Sequence, residues 1–320
     1  MGFKMNNIID EDKLYKLLNE NNFLLKTHYN NVTDKEKFIL SQIESQNCNK
    51  GGVIRYFIKE DELKGYYKLE KLDWDSQLFN RNMWRLGLVV NTSMLEDIDH
   101  IKSVFLEDCS KYDIEHISCQ VDSNDYNSTS VLEKLGFMIV DSIIRFGTEL
   151  DGNSLNKNEF IEDDIIIREY KTGDYHEVVE LASSVFNYYP NRFLNDGHFT
   201  NEECSEMYIE WTKNSLKGFA DITIVSEKDK KINGFSTVKY KPLIYNERLT
   251  IAEGQLSGVS NVFRGQGINT QMLMKRLKIA SRQADYYEVG TQVYNMASQR
   301  TFYKCGLKPI HSYFTFHLSP

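Results

Sequence analysis

The sequence predicts a layered α/β chain (an α+β layering) with two domains, each a mixed central β-sheet flanked by helices. Three observations carry that prediction. At 320 residues the chain has room for two domains of about 100–200 residues each. Short β-type runs alternate with stretches whose apolar residues recur at helical spacing, the order from which layered α/β domains are built. That order is run through twice, once on each side of a polar stretch at 151–164 holding Gly, Asn, Ser and Lys.

Residues 1–52 read as a helical lead-in, with Leu14, Leu17, Leu18 and then Phe38, Ile39, Ile43 at helical spacing between acidic and amide residues. From Val53 the pattern becomes β-type, in Val53–Ile58 and Met83–Val90. Leu95, Ile98, Ile101, Val104 and Phe105 mark one stripe of a helix over 94–112, followed by a strand over 114–121. A short helix over 128–135 stops at Gly136, a residue suited to the left-handed C-cap position. Two strands, 137–140 and 143–150, end a first domain placed at 53–160. The second domain, 161–320, opens with a strand over 165–170, helices over 175–186 and 201–216, and strands over 221–227, 232–240 and 249–259. A glycine-bearing loop, a helix over 268–282, a strand over 287–293, a helix over 297–305 and a final strand to His317 complete it.

Composition narrows the function. A formal net charge of −8 repels nucleic acid and anionic lipid, so neither is an expected partner. Five scattered cysteines, Cys48, Cys109, Cys119, Cys204 and Cys305, include no CxxC pair, so neither a disulfide framework nor a metal site is expected. The N-terminus lacks an apolar signal core and no window reaches the ~18 apolar residues of a membrane span. The expectation is a cytoplasmic protein.

The most informative stretch is Val259-Ser-Asn-Val-Phe-Arg-Gly-Gln-Gly-Ile268, which lies between a strand and a helix. Glycines at 265 and 267 let the backbone turn with its N–H groups converging, and the helix opening near Ile268 adds the positive end of its dipole. Taken alone the fragment is either a plain tight turn or an anion cradle. A dinucleotide fold would place a third glycine where Thr270 stands, and a Walker loop needs a Gly-Lys-Ser/Thr that the chain lacks.

The two halves end alike. Gln120-Val-Asp122 with its following helix and Lys134-Leu-Gly-Phe137 parallels Gln292-Val-Tyr294 with its helix and Lys304-Cys-Gly-Leu307. They differ at the cradle, where the first half has only Asn91-Thr-Ser93, and the residue matching Tyr303 by its offset from the glycine is Glu133. The first domain is therefore expected to be non-catalytic, serving as a sheet cover, a wall of the acceptor cleft or a homodimer contact.

Arg264-Gly-Gln-Gly-Ile268 between strand and helix resembles the signature of the GNAT acetyltransferases, as does Asn295-Met-Ala-Ser-Gln-Arg-Thr-Phe-Tyr-Lys-Cys-Gly-Leu307. The resemblance implies two GNAT-like domains, the first degenerate, the second binding acetyl-CoA as co-substrate without a metal. It assigns the pyrophosphate to Arg264, Gly265, Gln266, Gly267, Ile268 and Asn269, and the pantetheine arm and thioester to backbone of Leu256, Ser257, Gly258 and Val259. Asn295 and Ser298 would meet the cofactor arm, and Tyr303 would protonate the departing thiolate. Tyr303 lies eight residues after Asn295, a little over two helical turns, so both side chains can face one cleft. Two positions depart from the family, which often has Gln or Arg where Val262 stands and Gly where Asn269 stands.

Glu288-Val-Gly-Thr-Gln-Val-Tyr-Asn295, the terminal Ser312-Tyr-Phe-Thr-Phe-His317 and Tyr208-Ile-Glu-Trp-Thr-Lys-Asn-Ser215 are similar to the dTDP-fucosamine acetyltransferase type of GNAT protein. The acceptor implied is a small-molecule amine on a nucleotide-linked 4-amino-6-deoxy sugar. Arg192, His198, Thr291 and Gln292 are the candidate substrate contacts, and Glu253, alternating with Gln255 and Ser257, is a candidate base acting through water. Another amine, such as an antibiotic, a peptide N-terminus or a natural-product intermediate, and a non-catalytic acyl-CoA-binding role stay open at this level.

Overall fold

The computed structural model describes residues 4–6, 9–20, 52–150, 164–243 and 246–320. The expected helix around 38–43, Cys48 and the polar stretch 151–163 lie outside these residues. In chain order the first half carries β1 (Lys4–Asn6), α1 (Glu11–Glu20), β2 (Val53–Lys59), β3 (Glu62–Lys71), α2 (Asp73–Phe79), β4 (Met83–Val90), α3 (Ile98–Lys111), β5 (His116–Asp122), α4 (Tyr126–Leu135) and β6 (Met138–Glu149). The second half carries β7 (Ile166–Glu169), α5 (Tyr175–Phe186), α6 (Arg192–Asp196), α7 (Asn201–Asn214), β8 (Ile222–Lys228), β9 (Lys231–Leu243), β10 (Asn246–Val259), α8 (Ile268–Ala280), β11 (Tyr286–Gln292), α9 (Met296–Lys304) and β12 (Lys308–Leu318).

Local chemistry sets the ends of these elements. Thr200 caps α7 with a reciprocal pair: its hydroxyl accepts from the Glu203 amide at 3.2 Å while the Glu203 carboxylate accepts from the Thr200 amide at 2.7 Å. Gly136 ends α4 at φ 102°, in the left-handed conformation the sequence suggests. Strand β3 and helix α2 have no counterpart in the sequence reading. β2 turns into β3 through Glu60 and Asp61, both at positive φ (53° and 62°). That is the geometry of a two-residue type I′ hairpin, made here without the asparagine or glycine that usually marks one. Asp229 and Lys230 do the same between β8 and β9.

The chain divides into two compact units, Met1–Ser142 with His311–Pro320, and Ile143–Ile310. The first unit has strand order β1-β2-β3-β4-β5-β12, with β4 and β5 parallel and its other described ladders antiparallel. Phe57, Leu69, Phe105, Ile117, Val131, Leu132 and Phe316 form its core. Within it Arg55 Nε donates to Asp108 at 2.8 Å and the buried Tyr67 hydroxyl donates to the same carboxylate at 2.6 Å. The second unit has the order β6-β11-β10-β9-β8-β7, with β10 and β11 parallel and its other described ladders antiparallel. Its core is built on Ala252, Met272, Leu273, Leu277, Tyr287 and Phe302.

The division falls at 142/143 rather than near 160, and ladder pairing is the reason. The expected strands 137–140 and 143–150 are one strand, β6, whose residues from Ile143 to Glu149 pair with β11 from Gln292 to Tyr286. Residues Tyr313 to Leu318 of β12 pair with β5 of the first unit. Each unit is thus finished by a strand that chain order alone assigns to the other.

Candidate active site

The site in the second unit begins as a break in its sheet. β10 and β11 pair in parallel over four positions, from Ile251↔Tyr286 to Gly254↔Val289, and no further. Beyond that point β10 stays paired with β9 to Val259 and β11 stays paired with β6 to Gln292, so the two parallel strands part. At the same place β10 gains a residue against β9, since the register steps from Gly254↔Val238 to Ser257↔Ser236. This bulge frees the Leu256 amide from the ladder, and the buried Thr237 hydroxyl accepts from it at 3.1 Å. Glycine is required at 254 because a Cβ there would lie 2.6 Å from the Tyr287 hydroxyl oxygen.

Past the parting lies the glycine loop. Gly265 and Gly267 have φ of 83° and 78°, and Gly267 leads into α8 with no side chain capping the helix. The first-turn amides of α8 therefore stay available to an anion. Ser257 Oγ donates to Asn269 Oδ1 at 2.8 Å, which ties the first turn of α8 to β10 and gives the unusual Asn269 a local role. Val262, the other departure, is exposed.

A cavity of about 450 Å³ opens between these parts. Ser257, Gly258 and Val259 line it from β10; Arg264, Gly265, Gly267, Ile268 and Asn269 from the loop and α8; and Asn295, Ala297, Ser298, Arg300, Thr301 and Lys304 from α9 and its cap. Val185, Phe186 and Tyr189 close another side. Among the described residues its lining carries three cations, Arg264, Arg300 and Lys304, and no carboxylate, in a chain of net charge −8. The arrangement suits an elongated ligand with an anionic end.

Several expected residues converge here and others do not. Asn295 lines the cavity but spends its Oδ1 on the helix cap, accepting from the Ser298 amide at 3.2 Å. Leu256 is buried and Gln266 is exposed, and neither belongs to the lining. Thr291 is buried in β11. Arg192 starts α6 with its guanidinium 4.6 Å from the Phe193 ring centroid, and the exposed His198 pairs with Asp196; neither lines the cavity. Tyr303 also stands outside the lining, 55% exposed, with its ring edge-on to Phe146 at 5.1 Å.

Glu253 sits where β10 and β11 are still paired, opposite Glu288. Arg145 on β6 bridges the two carboxylates, reaching Glu288 at 2.7 Å, and Lys241 adds a second cation to Glu253 at 3.0 Å. Burial by itself pushes the Glu253 carboxyl upward, but Arg145 and Lys241 outweigh it and hold the group below the ordinary carboxylate range. A carboxylate held that way is a poor proton acceptor.

Sequence reasoning missed two participants. Arg145 had no visible partner until β6 was placed beside β11. Tyr189, in a Tyr-Tyr-Pro turn after α5, donates to Gln292 Oε1 at 3.3 Å and accepts from Asn295 Nδ2 at 3.5 Å. No local motif marks either.

The first unit repeats the plan without the cradle. β4 and β5 pair in parallel over four positions, Met83↔His116 to Leu86↔Cys119, and Asp125 caps α4 by accepting from the Ser128 amide, as Asn295 does for Ser298. Where the glycine loop would stand, Asn91 caps a 3₁₀ turn over Thr92–Asp97, accepting from the Ser93 amide.

Comparison with solved structures places this fold. A GCN5-related N-acetyltransferase from Sphaerobacter thermophilus superposes with a TM-score of 0.61 at 13% identity, covering 99% of this chain and 95% of that one. A tandem GNAT protein from the clavulanic acid biosynthesis pathway superposes with a TM-score of 0.53 at 10% identity, covering 99% and 98%. The chain has the fold of the GCN5-related N-acetyltransferases, in its tandem form. Among curated proteins, the spore coat polysaccharide biosynthesis protein SpsD of Bacillus subtilis (strain 168) is 26% identical over 149 residues, 46% of this chain and 48% of that protein. The match thus spans about half of that relative's length. No protein-family model matches the chain. Among the described residues no helix is long and apolar enough to cross a membrane.

Proposed function

We propose that the protein transfers an acetyl group from acetyl-CoA to a primary amine, in the second unit. The observation that carries this reading is the cavity where β10 and β11 part, with an uncapped glycine-led helix start and three cations at its wall. The amides from Gly265 to Asn269 would hold the pyrophosphate, with Arg264, Arg300 and Lys304 supplying charge. The free edge of β10 from Ser257 to Val259 would hydrogen-bond the pantetheine arm. Aligning amine and thioester supplies most of the acceleration, because direct transfer needs no covalent enzyme intermediate. With its first-half counterpart lacking the glycine pair, the first unit has a structural role.

The acceptor we propose is the amine of a nucleotide-linked 4-amino-6-deoxy sugar. Two facts support it: the likeness of the Val289-Gly-Thr-Gln292 strand and its surroundings to sugar-nucleotide acetyltransferases, and a partial relative whose name is that of a polysaccharide biosynthesis protein. The test is CoA release from acetyl-CoA with a panel of nucleotide amino sugars, aminoglycosides and peptides. Turnover with a nucleotide amino sugar is expected. Turnover confined to another amine would reject the acceptor and keep the transfer; no acetyl-CoA binding at all would reject both.

A further inference from the structure

We propose that Tyr189 is the proton donor to the departing sulfur, an assignment that rests on the acetyl-transfer reading of the cavity. Among the described residues Tyr189 is the one tyrosine in the cavity lining. Its hydroxyl stands between Gln292, the last residue of β11, and Asn295, the cap of α9, with hydrogen bonds of 3.3 Å and 3.5 Å. That is the mouth of the gap between β10 and β11. The ring is held from behind by an aromatic socket. It meets Phe186 edge-on at 5.7 Å and 87° and Tyr208 edge-on at 5.7 Å and 85°, while Phe186 and Tyr208 stack on each other at 4.4 Å. The packing fixes the ring and the two amide side chains fix the hydroxyl, which is what a proton donor needs to stay aimed.

Tyr303 is placed differently. Helix α9 gives the cavity Ala297, Ser298, Arg300, Thr301 and Lys304. At about 100° per residue these positions share one flank, and Tyr303 falls on another. Its ring rests on Phe146, and its neighbour Phe302 is buried in the core. The spacing that lets Asn295 and Tyr303 share a cleft does not apply, because Asn295 is the cap and lies outside the helix.

The step balances within the site. The amine nitrogen bonds to the acetyl carbon, the C–S bond breaks with its pair going to sulfur, and sulfur takes the phenolic proton. The phenolate regains a proton from the one that nitrogen sheds, so amine and thioester give amide and thiol. A phenol carries its proton at neutral pH.

The experiment compares the full-length protein with Tyr189→Phe and Tyr303→Phe, using acetyl-CoA and a dTDP-linked 4-amino-6-deoxyhexose, with acetyl-CoA binding by calorimetry as the folding check. For Tyr189→Phe we expect kcat to fall about 100-fold, KM for acetyl-CoA to stay within about threefold, and the alkaline limb of the kcat profile to disappear. A Tyr189→Phe rate within about twofold of wild type, or loss of turnover in Tyr303→Phe alone, overturns the assignment and spares the transfer reading. Wild-type protein that binds acetyl-CoA but releases CoA to no amine overturns both.

Discussion

At the scale of single residues, charge placement separates groups that the sequence presents alike. Glu253 alternates with Gln255 and Ser257 along β10 as a water-linked base would, yet Arg145 and Lys241 hold it ionised. Its proton affinity matters for stability instead. A carboxyl whose folded pKa lies below its unfolded value of ~4.3 stabilises the fold above that value, and the contribution disappears as pH falls through the folded pKa. Glu253→Gln should therefore shallow the acid side of the stability curve and change it little at pH 7 to 8 beyond a constant offset. Denaturant midpoints measured from pH 3 to 8 check this. An acid limb as steep as wild type would show that Arg145 and Lys241 do not depress this carboxyl.

At the scale of elements, the bulge in β10 and the parting of β10 from β11 occur together, and Thr237 is what makes the bulge affordable. Its hydroxyl accepts from the Leu256 amide in a buried setting, where an unsatisfied donor costs about 1–3 kcal/mol. Thr237→Val keeps the shape and removes that acceptor. The expected result is a loss of about 1–3 kcal/mol in denaturant unfolding, with the KM for acetyl-CoA raised because Ser257 to Val259 lose their alignment. An unchanged midpoint would mean the amide finds another partner. How much was legible at this scale depended on the element. Helix α5 is found at its expected span, since its buried Val178, Leu181, Ala182, Val185 and Phe186 follow helical spacing. β3 was not, because the buried run Gly65-Tyr66-Tyr67 interrupts the alternation of its Lys and Glu residues with Leu63 and Leu69, and its turn lacks a marker residue.

At the scale of the whole molecule, the consequence of the strand assignments is that domain limits cannot be cut where composition changes. A fragment of residues 161–320 lacks Ile143 to Glu149 and leaves the outer edge of β11 unpaired, the kind of edge that templates aggregation. Expressed alone it should aggregate more readily than residues 143–310, in which β11 keeps its β6 partner. Size-exclusion profiles and thermal melts of the two fragments decide this. A soluble, cooperative 161–320 would show that the β6 ladder is dispensable.

Local sequence by itself determined much of the element order, the two-fold plan, the glycine-led turn at Gly265 and Gly267 and the absence of such a glycine pair from the first half. Each of these depends on torsional preference or on apolar spacing within one segment, and such preferences travel with the residues. Only the tertiary structure decided which strand completes which sheet, that Arg145 bridges Glu253 and Glu288, and that Tyr189 rather than Tyr303 faces the cavity. Those outcomes depend on ladders and side-chain contacts between residues some 100 or more positions apart. A helix can say which residues share a flank, but what that flank meets is set by the sheet it packs on.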